Sequence, residues 1–146
     1  MTQFLPKIAA FLCWKWGYGA ADMAGTIRSQ YPASFRTIRV PCTGRISTDL
    51  ILRALRKGAD AVAVVGWYEG ECEYETGNIL AKQNVKYVKQ ILDLLGVGSD
   101  RVEMFYCSAA EGAKFAEIVK EMTKKITEMG PNPLKAKAPA EAEGTS

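Results

Sequence analysis

The sequence predicts an α/β fold built on a parallel sheet. Four short apolar runs alternate with segments of helical periodicity along most of the chain. Each run ends abruptly, at Cys13, Pro41, Gly66 or Cys107. The helical segments between them are long enough to cross over and return, so successive strands should run parallel with helices on both faces. With 146 residues, 48% of them hydrophobic, the chain can bury one sizeable core.

Lys7 to Cys13 reads as a first strand, apolar on both faces. A loop rich in aromatics and glycine, Trp14 to Gly19, should follow it, then a helix from Ala20 to Gln30. Tyr31-Pro32 stops that helix, because the residue before proline avoids helical angles. Phe35 to Val40 alternates as a second strand. Ser47 is placed to cap a helix from Thr48 to Lys57, with Ile51, Ala54 and Leu55 on one face and Gly58 as its stop. Ala61 to Val65 has the length and branching of a buried third strand. Asn78 to Leu95 is a long helix with Val85, Val88, Ile91, Leu92 and Leu95 on its apolar face. Arg101 to Tyr106 reads as the fourth strand. A last helix from about Ala110 to Met129 carries Phe115, Val119, Met122, Ile126 and Met129 at core spacing. The single domain therefore spans residues 1–130. Residues 131–146, made mostly of Pro, Ala, Lys and Glu, have little to bury and read as a disordered tail.

This order predicts a flavodoxin-like three-layer sandwich, with a four-stranded parallel sheet in the order 2-1-3-4 and a switch point between strands one and three. In such a sheet all carboxyl ends point to one edge, where ligands bind. Cys13, Cys42 and Cys107 end strands, and Cys72 lies in the loop after strand three. Loops of adjacent strands, about 4.8 Å apart, can bring thiolates to a shared centre. An iron-sulfur cluster or a structural zinc are the centres that cysteine alone can hold. Against this, free cysteine is commonly a small buried hydrophobe, and no Cys-x-x-Cys pair is present.

Composition removes several function classes. Histidine is absent, which excludes Ser/His and Cys/His nucleophile pairs and His-ligated metals. A net charge of +3 without a clustered basic face does not suggest nucleic-acid binding. No apolar run approaches the ~20 residues of a membrane span, and the amino end lacks the pattern of an export signal, so the expected location is cytoplasmic. No acid/base pair is placed by spacing, so the chain reads as non-catalytic on its own.

Glu69, Glu71, Glu73 and Glu75 alternate through the loop that carries Cys72. They can bind a hard cation, meet a basic partner, or simply be solvated. Trp14, Trp16 and Tyr18 can stack on a flavin or a partner, or anchor their own loop. Thr43-Gly44-Arg45 offers a cation at the same edge.

Five ordered blocks then carry a resemblance. They are Tyr18-Gly19-Ala20-Ala21-Asp22 with Ala24-Gly25; Arg39-Val40-Pro41-Cys42-Thr43-Gly44-Arg45; Gly66-x-x-x-Gly70-x-Cys72-x-Tyr74; Gly77-Asn78; and Ser108-Ala109-Ala110-Glu111-Gly112-Ala113-Lys114-Phe115. From about Ile8 to Gly130 the sequence resembles the delta subunit of methyl-viologen-reducing hydrogenase. The resemblance implies a small iron-sulfur protein carrying a 2Fe-2S cluster, one that relays electrons between a donor enzyme and a heterodisulfide reductase A type flavoprotein in complexes of strict anaerobes. Cys13, Cys42 and Cys72 match family cysteines. Leu12, Trp16 and Trp67 stand where the family pattern has cysteine, and Glu73 where it has histidine. The expected ligands are Cys13, Cys42, Cys72 and Cys107, with Glu73 as an alternative fourth. The other reading is a cluster-less adaptor that joins the flavoprotein to its partner through the aromatic loop and the edge around Arg45.

Overall fold

A computed structural model describes residues 4–15, 17–26, 32–72 and 75–134. Four strands form one all-parallel sheet: β1 (Ile8–Cys13), β2 (Phe35–Val40), β3 (Ala61–Gly66) and β4 (Val102–Tyr106). Their order is β2-β1-β3-β4, as the sequence predicts. Ile8 lies beside both Phe35 and Ala61, Cys13 beside Val40, and Gly66 beside Tyr106, so the four carboxyl ends are aligned at one edge.

The helices are α1 (Gly17–Thr26), α2 (Thr48–Arg56), α3 (Gly77–Leu94) and α4 (Gly112–Met129). They divide the core in two. Ala10, Leu12, Ala63 and Val65 face α1 and α4, where they meet Ala24 and Phe115. Phe11, Val62 and Val64 face α2 and α3, where they meet Ile51, Leu55 and Val85. Because successive strand side chains point to opposite faces, residue parity assigns each position to one core or the other. All six residues of β3 are buried, as a strand covered on both faces requires. β2 is the open edge, with Arg36 to Arg39 exposed.

Several boundaries move for identifiable reasons. Trp14 to Gly19 is not one long loop, because α1 begins at Gly17. A Cβ on Gly17 would stand 2.5 Å from the Val65 carbonyl oxygen, so this glycine serves close approach of helix to sheet and not loop freedom. Ser47 caps α2 as expected, its side chain accepting from the Leu50 amide at 3.1 Å. Leu95, expected on the core face of α3, lies past the last helical residue and is exposed. Trp16, residues 27–31, Glu73, Tyr74 and residues 135–146 lie outside the described residues.

Packing continues beyond Met129. Asn132 is buried, donating to the Leu55 and Ala59 carbonyls, and its amide donates to Asp60. Arg101 is buried as well. Its guanidinium donates to the carbonyls of Val97, Asp60, Gly130 and Pro131, which ties the start of β4 to the end of α4. No helix among the described residues is long and apolar enough to cross a membrane.

Candidate thiolate site

Of the four cysteines, the structure brings Cys42 and Cys72 together. Pro41 ends β2, and Cys42 then caps a single 3-10 turn, Thr43–Arg45. Its sulfur accepts from the Gly44 amide at 3.4 Å. The chain leaving β3 turns back over this edge and sets Cys72 Sγ 3.9 Å from Cys42 Sγ. Two sulfurs bound at about 2.3 Å to one tetrahedral centre stand roughly 3.8 Å apart. The pair is therefore spaced as ligands of a single thiophilic ion, well beyond the ~2.05 Å of a disulfide.

Gly77, the first residue of α3, closes the floor. A Cβ there would collide with Cys42 Sγ and stand 3.4 Å from Cys72 Sγ. Only the absence of a side chain lets the helix start against both sulfurs. Burial pushes the Cys42 thiol up from its ordinary range, and the neighbouring Cys72 and Cys13 push it further, against the lowering effect of the Gly44 amide. A bound cation reverses that balance, because a coordinating thiol is deprotonated outright.

Cys13 is buried at the end of β1 on the same face as Phe11, two residues before it. It lies close enough to Cys42 to raise that thiol. Among the described residues no group of three or more His, Cys, Asp or Glu side chains is arranged to hold one ion. The geometry thus supplies a pair of thiols at 3.9 Å with Cys13 near Cys42.

Cys107 is placed differently. It follows β4 on the opposite face of the sheet, in the core shared with α1 and α4, and is fully buried. Its thiol donates to the Glu111 carbonyl at 3.5 Å. Burial, followed by the nearby Glu111 charge, pushes it up to about 11. Leu12, which takes a family cysteine position, is also fully buried in that second core.

The loop into Cys72 is strapped at three consecutive residues. Asn78 Nδ2 donates to the carbonyls of Trp67 (2.9 Å) and Tyr68 (2.8 Å). The Tyr68 hydroxyl donates to Glu111 Oε1 at 2.6 Å and accepts from Lys114 Nζ at 2.6 Å. Glu69 accepts from Lys82 at 2.8 Å and from the Tyr106 hydroxyl at 3.2 Å. Of the alternating acids, Glu69 is thus spent on these partners, Glu71 and Glu75 are exposed, and Glu73 lies outside the described residues. On the far side of the edge, the exposed Arg39 guanidinium lies 6.0 Å from the Trp14 ring and 5.6 Å from the Tyr18 ring, beside a 380 Å³ cleft bounded by Trp14, Val40 and Pro41.

Residues 8–130 match the family of the methyl-viologen-reducing hydrogenase delta subunit. The chain belongs to that family. It is 57% identical over 131 residues to the vhu iron-sulfur subunit of F420-non-reducing hydrogenase from Methanocaldococcus jannaschii, covering 90% of this chain and 98% of the relative. Against the protein of the same name from Methanococcus maripaludis the identity is 58% over the same shares. A second kind of relative is larger. The A-type subunit of the ferredoxin/F420H2-dependent CoB-CoM heterodisulfide reductase of Methanosarcina acetivorans is 38% identical over 126 residues, which is 86% of this chain and 16% of that protein.

Within this delta-subunit fold, sequence reasoning passed over the groups that shape the thiolate pair. Gly77, Asn78 and Glu111 all fall inside the blocks that carry the family resemblance. Nothing local marks them. Gly77 sits at a helix start and Glu111 before another, positions where either residue is ordinary.

Proposed function

We propose that this chain is a small iron-sulfur electron-transfer component of a hydrogenase–heterodisulfide reductase type complex, cytoplasmic, with no substrate of its own. The observation that carries this is the Cys42–Cys72 pair, held at 3.9 Å over the bare Cα of Gly77. The family's iron-sulfur names, carried by relatives such as that of Methanocaldococcus jannaschii, support the same reading. The partner proposed is a heterodisulfide reductase A type flavoprotein. In the Methanosarcina acetivorans relative a segment like this chain is part of the reductase polypeptide itself, which suits direct electron passage between the two.

The spacing of Cys42 and Cys72, with Cys13 near enough to Cys42 to raise its thiol, supports thiolate ligation of iron by these three cysteines. Cys42, Cys72 and Cys13 would be the residues that hold a 2Fe-2S cluster. Cys107, turned to the opposite core, is left out of this set. Glu73, next in sequence to Cys72, is the candidate for the fourth place. Bound there, the cluster supplies a one-electron couple. The Gly44 amide donates to the Cys42 sulfur and favours its ionised form. The exposed Glu71 and Glu75 would lower the reduction potential of a cluster held there by placing negative charge near it.

The adaptor reading has one observation in its favour. Leu12 and Trp67 fill family cysteine positions, and Leu12 is fully built into a core. Iron and acid-labile sulfide per chain, measured on protein purified without oxygen, separate the two. Near two of each, with visible bands that bleach on reduction, establishes the electron carrier. No iron in folded protein still bound to its complex establishes the adaptor.

A further inference from the structure

Cys72 has no element of its own to hold it. It lies in a turn after β3, half-buried, and the backbone hydrogen bond at its carbonyl runs onward, accepted from the Glu75 amide. Its position relative to Cys42 therefore depends on the segments on either side of it, and the residues just before it carry the side-chain straps. Among the straps on those residues, the one at Tyr68 reaches furthest. It crosses from the β3 loop to the start of α4, where Glu111 is anchored independently: its Oε1 also accepts from the Ser108 amide at 2.9 Å. Lys114 completes the arrangement from above, its Nζ 4.7 Å from the centre of the Tyr68 ring, which in turn stacks on Tyr106. Hydrogen bonds to a charged partner are the stronger kind, and a Tyr–Glu–Lys chain lets each bond polarise the next. The Tyr68 bond holds the Glu111 carboxyl below its usual range and the Lys114 ammonium above its own, so both stay charged.

We propose that Glu111 is a positioning residue for the thiolate pair: through the Tyr68 hydroxyl it pins the 67–72 loop and so keeps Cys72 Sγ at ligating distance from Cys42 Sγ. The inference rests on the reading of that pair as a metal site, and goes beyond it by assigning a function to a carboxylate that touches neither sulfur. Cys107 adds a contact to the same turn. Its thiol bonds the Glu111 carbonyl, which stiffens the anchor from the backbone side.

The test is titration of the reduced, metal-free chain with Cd²⁺ alone, followed by the ultraviolet thiolate-to-metal absorbance, with urea unfolding of each variant alongside. Tyr68→Phe deletes one oxygen and keeps the ring stack. It should weaken Cd²⁺ binding about tenfold, or about 1.4 kcal/mol, and Glu111→Ala should weaken it by at least as much. Glu111→Gln keeps an acceptor oxygen and should recover most of the affinity. Arg53→Ala removes an exposed pair with Asp49 on the solvent side of α2 and should leave binding unchanged. Affinities of Tyr68→Phe and Glu111→Ala equal to wild type overturn the latch while leaving the metal site standing. So does a loss in both that is matched by Arg53→Ala at equal unfolding free energy. Absence of the absorbance in the wild-type chain sinks the metal reading and the latch together.

Discussion

Cys42 and Cys107 both follow strands of one sheet, at the same edge, and yet the molecule treats them oppositely. Cys42 opens a 3-10 turn, receives an amide hydrogen bond on its sulfur and faces a second thiol across a gap kept clear by Gly77. Cys107 continues the alternation of β4 into the core under α1 and α4, and donates a hydrogen bond to the Glu111 carbonyl. On the proposed reading a bound cation would hold Cys42 as its thiolate, whereas the Cys107 thiol stays protonated. Strand parity and the turn that follows, not position along the sheet edge, decide where each sulfur ends up.

The sharpest way to break this comparison is to remove each sulfur in turn. Cys42→Ser and Cys72→Ser should each reduce iron per chain below about a tenth of wild type, since a thiolate, not a hydroxyl, is the metal ligand. Cys107→Ser should leave it unchanged. Iron loss in Cys107→Ser, with folding intact, would put that thiol back among the ligands.

Gly77→Ala comes next. The added carbon must displace Cys42 Sγ or the start of α3. Overpacking of this kind costs about 1–3 kcal/mol, read by urea unfolding, and iron incorporation should fall several-fold. An alanine variant with full iron would mean that the floor under the two sulfurs is soft.

Cys107→Ser sharpens the other side. A hydroxyl in a fully buried apolar site costs about 1–3 kcal/mol where its hydrogen bond is imperfect. The expected result is a lower urea midpoint at unchanged iron content.

The last effect is in pH dependence and is confined to alkaline solution. With its native pKa raised from 9.0 to about 11, Cys107 holds its proton in the folded chain while the unfolded chain releases it. The folded state then binds more protons over this interval, so stability is fully present below pH 9 and declines from there toward pH 11. Cys107→Ala should flatten that part of the profile. The metal-free Cys42 thiol, raised by burial and its neighbouring cysteines, keeps its own contribution in both proteins and cancels from the difference.

Much of this could be read from residues alone. β3 is apolar at every position, α3 and α4 carry clear helical stripes, and Ser47 is a plain cap, because periodicity and capping are local properties. Boundaries that depend on distant atoms were not legible: Gly17 reads as loop freedom unless Val65 is seen above it, and Leu95 reads as core unless α3 is seen to end before it. The candidate site divides in the same way. The sequence by itself determined an all-parallel 2-1-3-4 sheet and four cysteines near its carboxyl edge, since alternation of strand and crossover helix leaves few other arrangements. Only the tertiary structure decided that Cys42 and Cys72 meet, that Gly77 makes room for them, and that Cys107 faces the other way. Sulfur-to-sulfur distance depends on how turns fold back over the sheet and on which core each side chain enters, and those are set by packing between residues far apart in the chain.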